Sequence, residues 1–194
     1  AAPIIAEGKV FATTFKPAGR LYDVKVHPSN EQEKKNPITA KAHLEANDMV
    51  IALDAKTGKT LWQASEPGGL VWGVGKRMGL QVAPVYHGGK IYSMGTTGRV
   101  FAYRASDGKK LWQTKPEKKM IEERKKHLAK SHVLQASANY GWVQSLVFAG
   151  DTLIVPRQTT LLGLDPANGR KKWEEPGVIS RWSTPTVWRH EKKE

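Results

Sequence analysis

A fifteen-residue pattern occurs three times along this chain, and nothing else in the sequence limits the fold as tightly. The copies run from Asp48 to Trp62, from Gly98 to Trp112 and from Thr159 to Trp173. Each holds a short apolar strand, a turn ending in Gly, a basic residue and a Trp four positions after the Gly. Val50 and Ala52, like Val100 and Ala102, alternate with their neighbours at the two-residue period of a strand. Gly58, Gly108 and Gly169 supply the positive φ that a tight turn needs. Asp54 and Asp165 open their turns and can accept hydrogen bonds from the turn amides. Arg104 holds that place in the middle copy, so the second turn is expected to close differently. Trp62, Trp112 and Trp173 end the following strand, where a large ring can plug the gap between adjoining sheets. Burying one such ring contributes about 2–3 kcal/mol by area.

A strand–turn–strand segment precedes each copy, at residues 2–12, 83–94 and 145–155. Each unit therefore holds four antiparallel strands, and four-stranded units with a regularly spaced Trp are the sequence signature of β-propeller blades. Gly58 and Gly108 are 50 residues apart, and Gly108 and Gly169 are 61 apart, whereas a bare blade needs about 40 residues. The excess is insertion, placed at 16–47 within the first blade and at 66–80 and 114–142 between blades. The reading is an all-β partial propeller: blade one about 1–65, blade two about 81–114, a helical insertion at 114–132, blade three about 142–175 and the start of a fourth at about 182–194. Propellers close with four to eight blades, so 194 residues read as an arc with open edges, expected to self-associate.

These residues resemble the pyrroloquinoline-quinone-like (PQQ-like) β-propeller repeat, whose usual form is Leu-Asp-Ala-x-Thr-Gly-Lys-x-Leu-Trp. Residues 53–62 follow it almost letter for letter, and 103–112 and 164–173 more loosely. The resemblance implies one of two functions. Some members are quinoprotein dehydrogenases holding PQQ and calcium at the propeller axis. Others, similar to an envelope lipoprotein that helps assemble outer-membrane β-barrels, bind no cofactor and act as scaffolds. The second implies a protein partner, or further blades of a parent chain, in the periplasm or cell envelope. Several of the dehydrogenases carry an adjacent Cys pair, and this chain has no Cys. A calcium shell also needs converging oxygen ligands, and Glu66, Asp151 and Glu174 show no converging spacing.

Charge adds a second theme. The chain carries 31 Lys and Arg against 18 Asp and Glu, a net charge of +13. Residues 114–130 are predicted to form the one substantial helix, with Thr114 and Glu117 as a capping box and Met120, Ile121, Leu128 and Ala129 as an apolar stripe. Its basic residues include Lys118, Lys119, Arg124, Lys125 and Lys126. They read as a solvated face or as a docking surface for an anionic partner. No helix-turn-helix, zinc finger or base-stacking pattern accompanies them, so no dedicated nucleic-acid motif is present. The first insertion, with Pro17, Gly19, Pro28 and Pro37, reads as an irregular surface excursion. His27, His43, His87, His127, His132 and His190 show no metal-ligand spacing, so no metal is expected. No apolar run approaches the ~18 residues of a transmembrane helix, and Ala1-Ala2-Pro3-Ile4-Ile5 lacks the regions of a signal peptide.

One constellation suggests a ligand site. Trp142, Gln144, Arg181, Trp182 and Ser183 fall at or before the innermost strands of successive blades, which line the axial channel. There they can hold a planar or sugar-like ligand or a peptide, or serve as packing between blades. No catalytic residue stands out. The leading functional expectation is a non-catalytic propeller scaffold in the cell envelope, without cofactor. The alternatives are a piece of a PQQ- and calcium-dependent dehydrogenase with its ligands elsewhere, and a polyanion-binding surface whose binding falls steeply with salt.

Overall fold

A computed structural model describes residues 2–25, 31–36, 39–71, 82–116, 118, 121–122, 144–157, 159–178 and 183–188. The three sequence units become three four-stranded antiparallel sheets, the blades of a partial β-propeller. Sheet one is β1 (Ile4–Ala6), β2 (Lys9–Lys25), β3 (Thr39–Asp54) and β4 (Thr60–Leu70). Sheet two is β5 (Val85–His87), β6 (Lys90–Met94), β7 (Val100–Arg104) and β8 (Lys110–Gln113). Sheet three is β9 (Val147–Ala149), β10 (Thr152–Pro156), β11 (Thr160–Leu164) and β12 (Lys171–Pro176). Strands lie side by side in chain order within each sheet, so every connection inside a sheet is a hairpin.

The third hairpins repeat almost atom for atom. The amides of Gly58, Gly108 and Gly169 donate to the carbonyls of Asp54, Arg104 and Asp165 at 2.9, 2.9 and 2.8 Å. The three glycines have φ of 68°, 73° and 73°, the left-handed region that a Cβ disfavours. A register shift follows in the same place each time, at Ala52/Leu53, Ala102/Tyr103 and Gly163/Leu164. The middle turn was expected to close differently because of Arg104, yet its backbone closes alike and only the side-chain support moves. Asp54 Oδ1 accepts from the amides of Lys56 and Thr57, as Asp165 Oδ1 does from Ala167. In the middle copy Asp107, three residues later, accepts from the Lys109 amide and pairs with Arg104 at 2.7 Å.

The core lies in the seams between sheets. Phe11, Val50 and Ala52 of sheet one meet Ile91, Phe101, Tyr103 and Ala105 of sheet two. Tyr92, Met94, Val100 and Ala102 of sheet two meet Leu153, Val155, Leu162 and Leu164 of sheet three.

Two expectations need correction. The first insertion is not an irregular excursion over its described part. β2 and β3 run on past the blade as a paired ribbon to Lys25↔Thr39, joined by a short α1 (Glu31–Lys35) near the tip, and β4 follows β3 as far as Glu45↔Leu70. Pro17 fits because β1 pairs β2 only at residues 9–11, so β2 is an edge strand there. The irregularity of Gly19, φ 75°, is absorbed in a register shift between Ala18 and Leu21. The alternation that marks β3 is plain in its burial: Leu44, Ala46, Asp48, Val50 and Ala52 are buried and the residues between them less so. The second correction concerns the inserted basic helix, which is not seen as an element. Most of 114–132 lies outside the described residues; among those described, Lys118, Ile121 and Glu122 have helical backbone. Among the described residues no helix is long and apolar enough to cross a membrane.

Candidate functional site

Each seam is closed by a Trp of one sheet set on a turn of the next. The Trp62 indole N–H donates to the Ala105 carbonyl at 3.1 Å, and a Cβ on Gly108 would lie 2.6 Å from the Trp62 ring. One seam on, Trp112 donates to the Pro166 carbonyl at 3.0 Å, and a Cβ on Gly169 would lie 2.6 Å from the Trp112 ring. The glycine thus serves twice, once for its φ and once because the ring needs the space of its missing side chain. Trp173 is the third member of the series and is 40% exposed. Its N–H has no acceptor among the described residues, and all six residues of β12 are exposed.

A smaller relay runs along the inner strands. The Ala83 amide donates to Ser145 Oγ at 3.0 Å, and the Ser145 amide donates to Thr184 Oγ1 at 3.0 Å. The Thr13 hydroxyl donates to the Val82 carbonyl.

Where β3 and β4 leave the first sheet, a buried polar cluster ties sheet one to sheet two. Asp48, 4% exposed, accepts at Oδ1 from the amide and hydroxyl of Thr96, both at 2.8 Å, and pairs at Oδ2 with Arg99 at 3.1 Å. Thr96 Oγ1 in turn accepts from the Leu70 amide. Burial pushes the Asp48 carboxyl above its usual range, opposed by the Thr96 and Arg99 contacts. Beside it, Glu66 of β4, paired in register with Asp48, bonds Lys110 at 2.7 Å and accepts from the Tyr103 hydroxyl at 3.4 Å. Burial, with Glu66 next, pushes the Tyr103 phenol up. Every one of these groups is spent on a partner in the facing sheet, so the cluster holds the seam and offers no free acid or base. Sequence reading missed it. The signal was available: Asp48 sits on the buried stripe of β3, where a carboxylate needs a partner.

Of the residues expected to form a ligand site, Gln144 and Ser183 are described. Gln144 is 1% exposed, and its Nε2 finds no partner among the described residues. Ser183 is exposed. Trp142, Arg181 and Trp182 lie outside the described residues, as do Lys119, Arg124, Lys125 and Lys126, while Lys118 is exposed. The repeat residues Asp54, Gly58, Trp62, Gly108, Trp112, Asp165 and Gly169 stand in turns or at seams, whereas the Trp173 ring lies over Gly163 of its own sheet.

A quinone with calcium needs several oxygen ligands around one point. The described residues do not fit that group. Glu66 is engaged across the first seam, Asp151 stands in the turn between β9 and β10, and Glu174 pairs with Lys171 on exposed β12. No three His, Asp or Glu side chains converge among the described residues.

Comparison with known proteins agrees with this anatomy. A family model described as "Outer membrane protein assembly factor BamB" matches residues 46–175. Among curated protein sequences there is no match. Solved structures with similar folds include BamB from Moraxella catarrhalis, at 16% identity and TM-score 0.43, covering 69% of this chain and 34% of that one. A europium-containing methanol dehydrogenase shows 15% identity and TM-score 0.44, with coverage of 82% and 27%. Quinohemoprotein alcohol dehydrogenase from Comamonas testosteroni shows 13% identity and TM-score 0.44, with coverage of 82% and 22%. The chain spans about a third or less of each of these three structures. With three four-stranded repeats joined by two Trp-closed seams and a family match over most of its length, the chain belongs to the PQQ-like propeller repeat family of the BamB type.

Proposed function

We propose that this chain is part of a non-catalytic propeller scaffold that binds a polypeptide partner in the cell envelope. The observation that carries the reading is the ribbon. Sheet two is built from strands of three to five residues, whereas β2, β3 and β4 of sheet one have 17, 16 and 11. Part of the extra length holds the Asp48 and Glu66 contacts to sheet two, and beyond them β2 and β3 carry an edge strand away from the sheet. Leu21 is 54% exposed on it, Arg20 lies over the Tyr22 ring at 4.3 Å, and Lys41 pairs with Asp23 at 3.0 Å. A strand edge with a mixed apolar and charged border suits an extended polypeptide, which adds by main-chain hydrogen bonds. The basic residues of 115–130 extend the same reading in the sequence. The envelope setting is supported by the family description alone.

A photoreactive residue placed at Leu21 tests the proposal. The expected result is a cross-link to one defined envelope polypeptide, absent when the same residue replaces Lys56 in the turn of sheet one. Equal labelling from both positions overturns the ribbon as the contact. Titration with PQQ and calcium gives the second arm: no shift in melting temperature is expected, and saturable quinone binding overturns the non-catalytic reading.

A further inference from the structure

The repeat carries one side chain that neither the turns nor the seams use. A basic residue follows the turn glycine in every copy: Lys59, Lys109 and Arg170. Its backbone closes the hairpin, because the carbonyls of Lys59, Lys109 and Arg170 accept from the amides of Asp54, Arg104 and Asp165 at 2.8, 2.9 and 2.8 Å. Any residue supplies that carbonyl. The three side chains are exposed and make no hydrogen bond or ion pair among the described residues, and Lys56 in the first turn is exposed in the same way. Asp54 and Asp165 are half-buried against amides of their own turns, and Asp107 pairs with Arg104. Lys56, Lys59, Lys109 and Arg170 are thus left as a surplus of positive charge. These turns stand at one end of all three sheets. Within a sheet the Ala55 amide bonds the Gly8 carbonyl, and the Ala105 amide the Gly89 carbonyl, both at 2.9 Å. Across the seams the Trp62 and Trp112 contacts set the turns side by side. The ribbon leaves from the opposite end.

We infer that this end of the molecule docks on an anionic lipid bilayer, with Lys56, Lys59, Lys109 and Arg170 against the headgroup phosphates. Charge complementarity carries the inference. The cations are spread over a row of joined turns, at least one to each sheet, which suits a flat and diffuse negative surface. A single-stranded nucleic acid is held by rings that stack on its bases and a groove that tracks its backbone, and residues 54–59, 104–109 and 165–170 hold no aromatic ring. Leu111 of the middle sheet, close behind Lys109, is 39% exposed and adds an apolar contact at the level of the headgroups. Docked this way, the chain holds the ribbon away from the membrane. The inference does not rest on what the ribbon binds.

Co-sedimentation with large unilamellar vesicles reads the contact. The intact chain is expected to bind vesicles of equal parts phosphatidylglycerol and phosphatidylcholine, to ignore vesicles of phosphatidylcholine alone, and to be released as salt rises. Lys59→Glu combined with Lys109→Glu is expected to weaken binding about thirtyfold or more, since each cation at such a surface is worth about fivefold. Both substitutions keep the backbone bonds of the turns, and circular dichroism checks the fold. Lys56→Glu is the milder second variant, with an expected loss of about fivefold or more. Lys115→Glu combined with Lys118→Glu makes the same change in net charge on exposed residues beyond β8, past the Thr114 amide bond to the Val100 carbonyl at the other end of sheet two. That pair is expected to bind within about threefold of the intact chain, because charges beyond a Debye length are screened. An intact chain that does not distinguish the two vesicles overturns the proposal. So do equal losses from the two double variants, or binding to duplex DNA without binding to the anionic vesicles.

Discussion

Trp62 and Gly108, 46 positions apart in sequence, form one contact: the indole covers the glycine at a distance that leaves no room for a Cβ. The same relation joins Trp112 to Gly169. A turn residue and a strand-end residue that look like separate requirements of one repeat are therefore partners between successive repeats. This explains why the pattern needs both in every copy, and why the sheets stack in chain order.

The hydrogen bond of the seam is separable from its packing. Trp112→Phe retains an aromatic ring but removes the donor to the Pro166 carbonyl. We expect a loss of about 1 kcal/mol, the usual net worth of such a bond, plus a smaller cost for the lost ring volume. Chemical denaturation monitored by circular dichroism measures it. Trp112→Ala also empties the seam and is expected to cost about 3 kcal/mol or more.

The Asp48 cluster makes the first seam sensitive to pH. Its folded carboxyl titrates above its unfolded value of 3.8, so the folded state binds the proton more tightly. The contribution of this group to stability is therefore largest below the unfolded pKa and falls as pH rises through the folded one. Asp48→Asn removes that fall. The expected outcome is that the stability difference, intact chain minus variant, decreases between about pH 4 and neutrality, as read from urea midpoints at each pH. A difference that increases over the same range contradicts the assignment.

Asp54 has the opposite sign. The hydroxyl and amide of Thr57 hold its carboxyl below the ordinary value, so its support for the first turn is present above the unfolded pKa and lost as pH falls through the folded one. In Asp54→Asn the acid loss of stability is expected to be smaller than in the intact chain, again by urea midpoints.

Much of the fold was legible because a repeat states each rule three times. Gly58, Gly108 and Gly169 announced the turns, and the Trp four residues later announced the seams. The ribbon was hidden by Pro17 and Gly19, which usually mark turns. Both are tolerated because β2 is an edge strand beyond β1 and a register shift absorbs the glycine. The seam cluster was hidden because Asp48, Glu66, Thr96 and Arg99 lie far apart in sequence and only the stacking of sheets one and two brings them together. The middle turn misled for a simpler reason: the backbone bond from Gly108 to the Arg104 carbonyl does not depend on which side chain opens the turn.

A double-mutant cycle on Trp62 and Gly108 addresses the seam most directly. Gly108→Ala in the intact chain bears a left-handed penalty of about 1–2 kcal/mol and an overpacking cost of about 1–3 kcal/mol against the indole. In a Trp62→Ala background the overpacking disappears, and the substitution is expected to cost only what Gly58→Ala costs in its open turn. The predicted result is a coupling of about 1–3 kcal/mol between the two sites. Additive costs, or equal losses for Gly58→Ala and Gly108→Ala in the intact chain, would contradict the Trp-on-glycine seam.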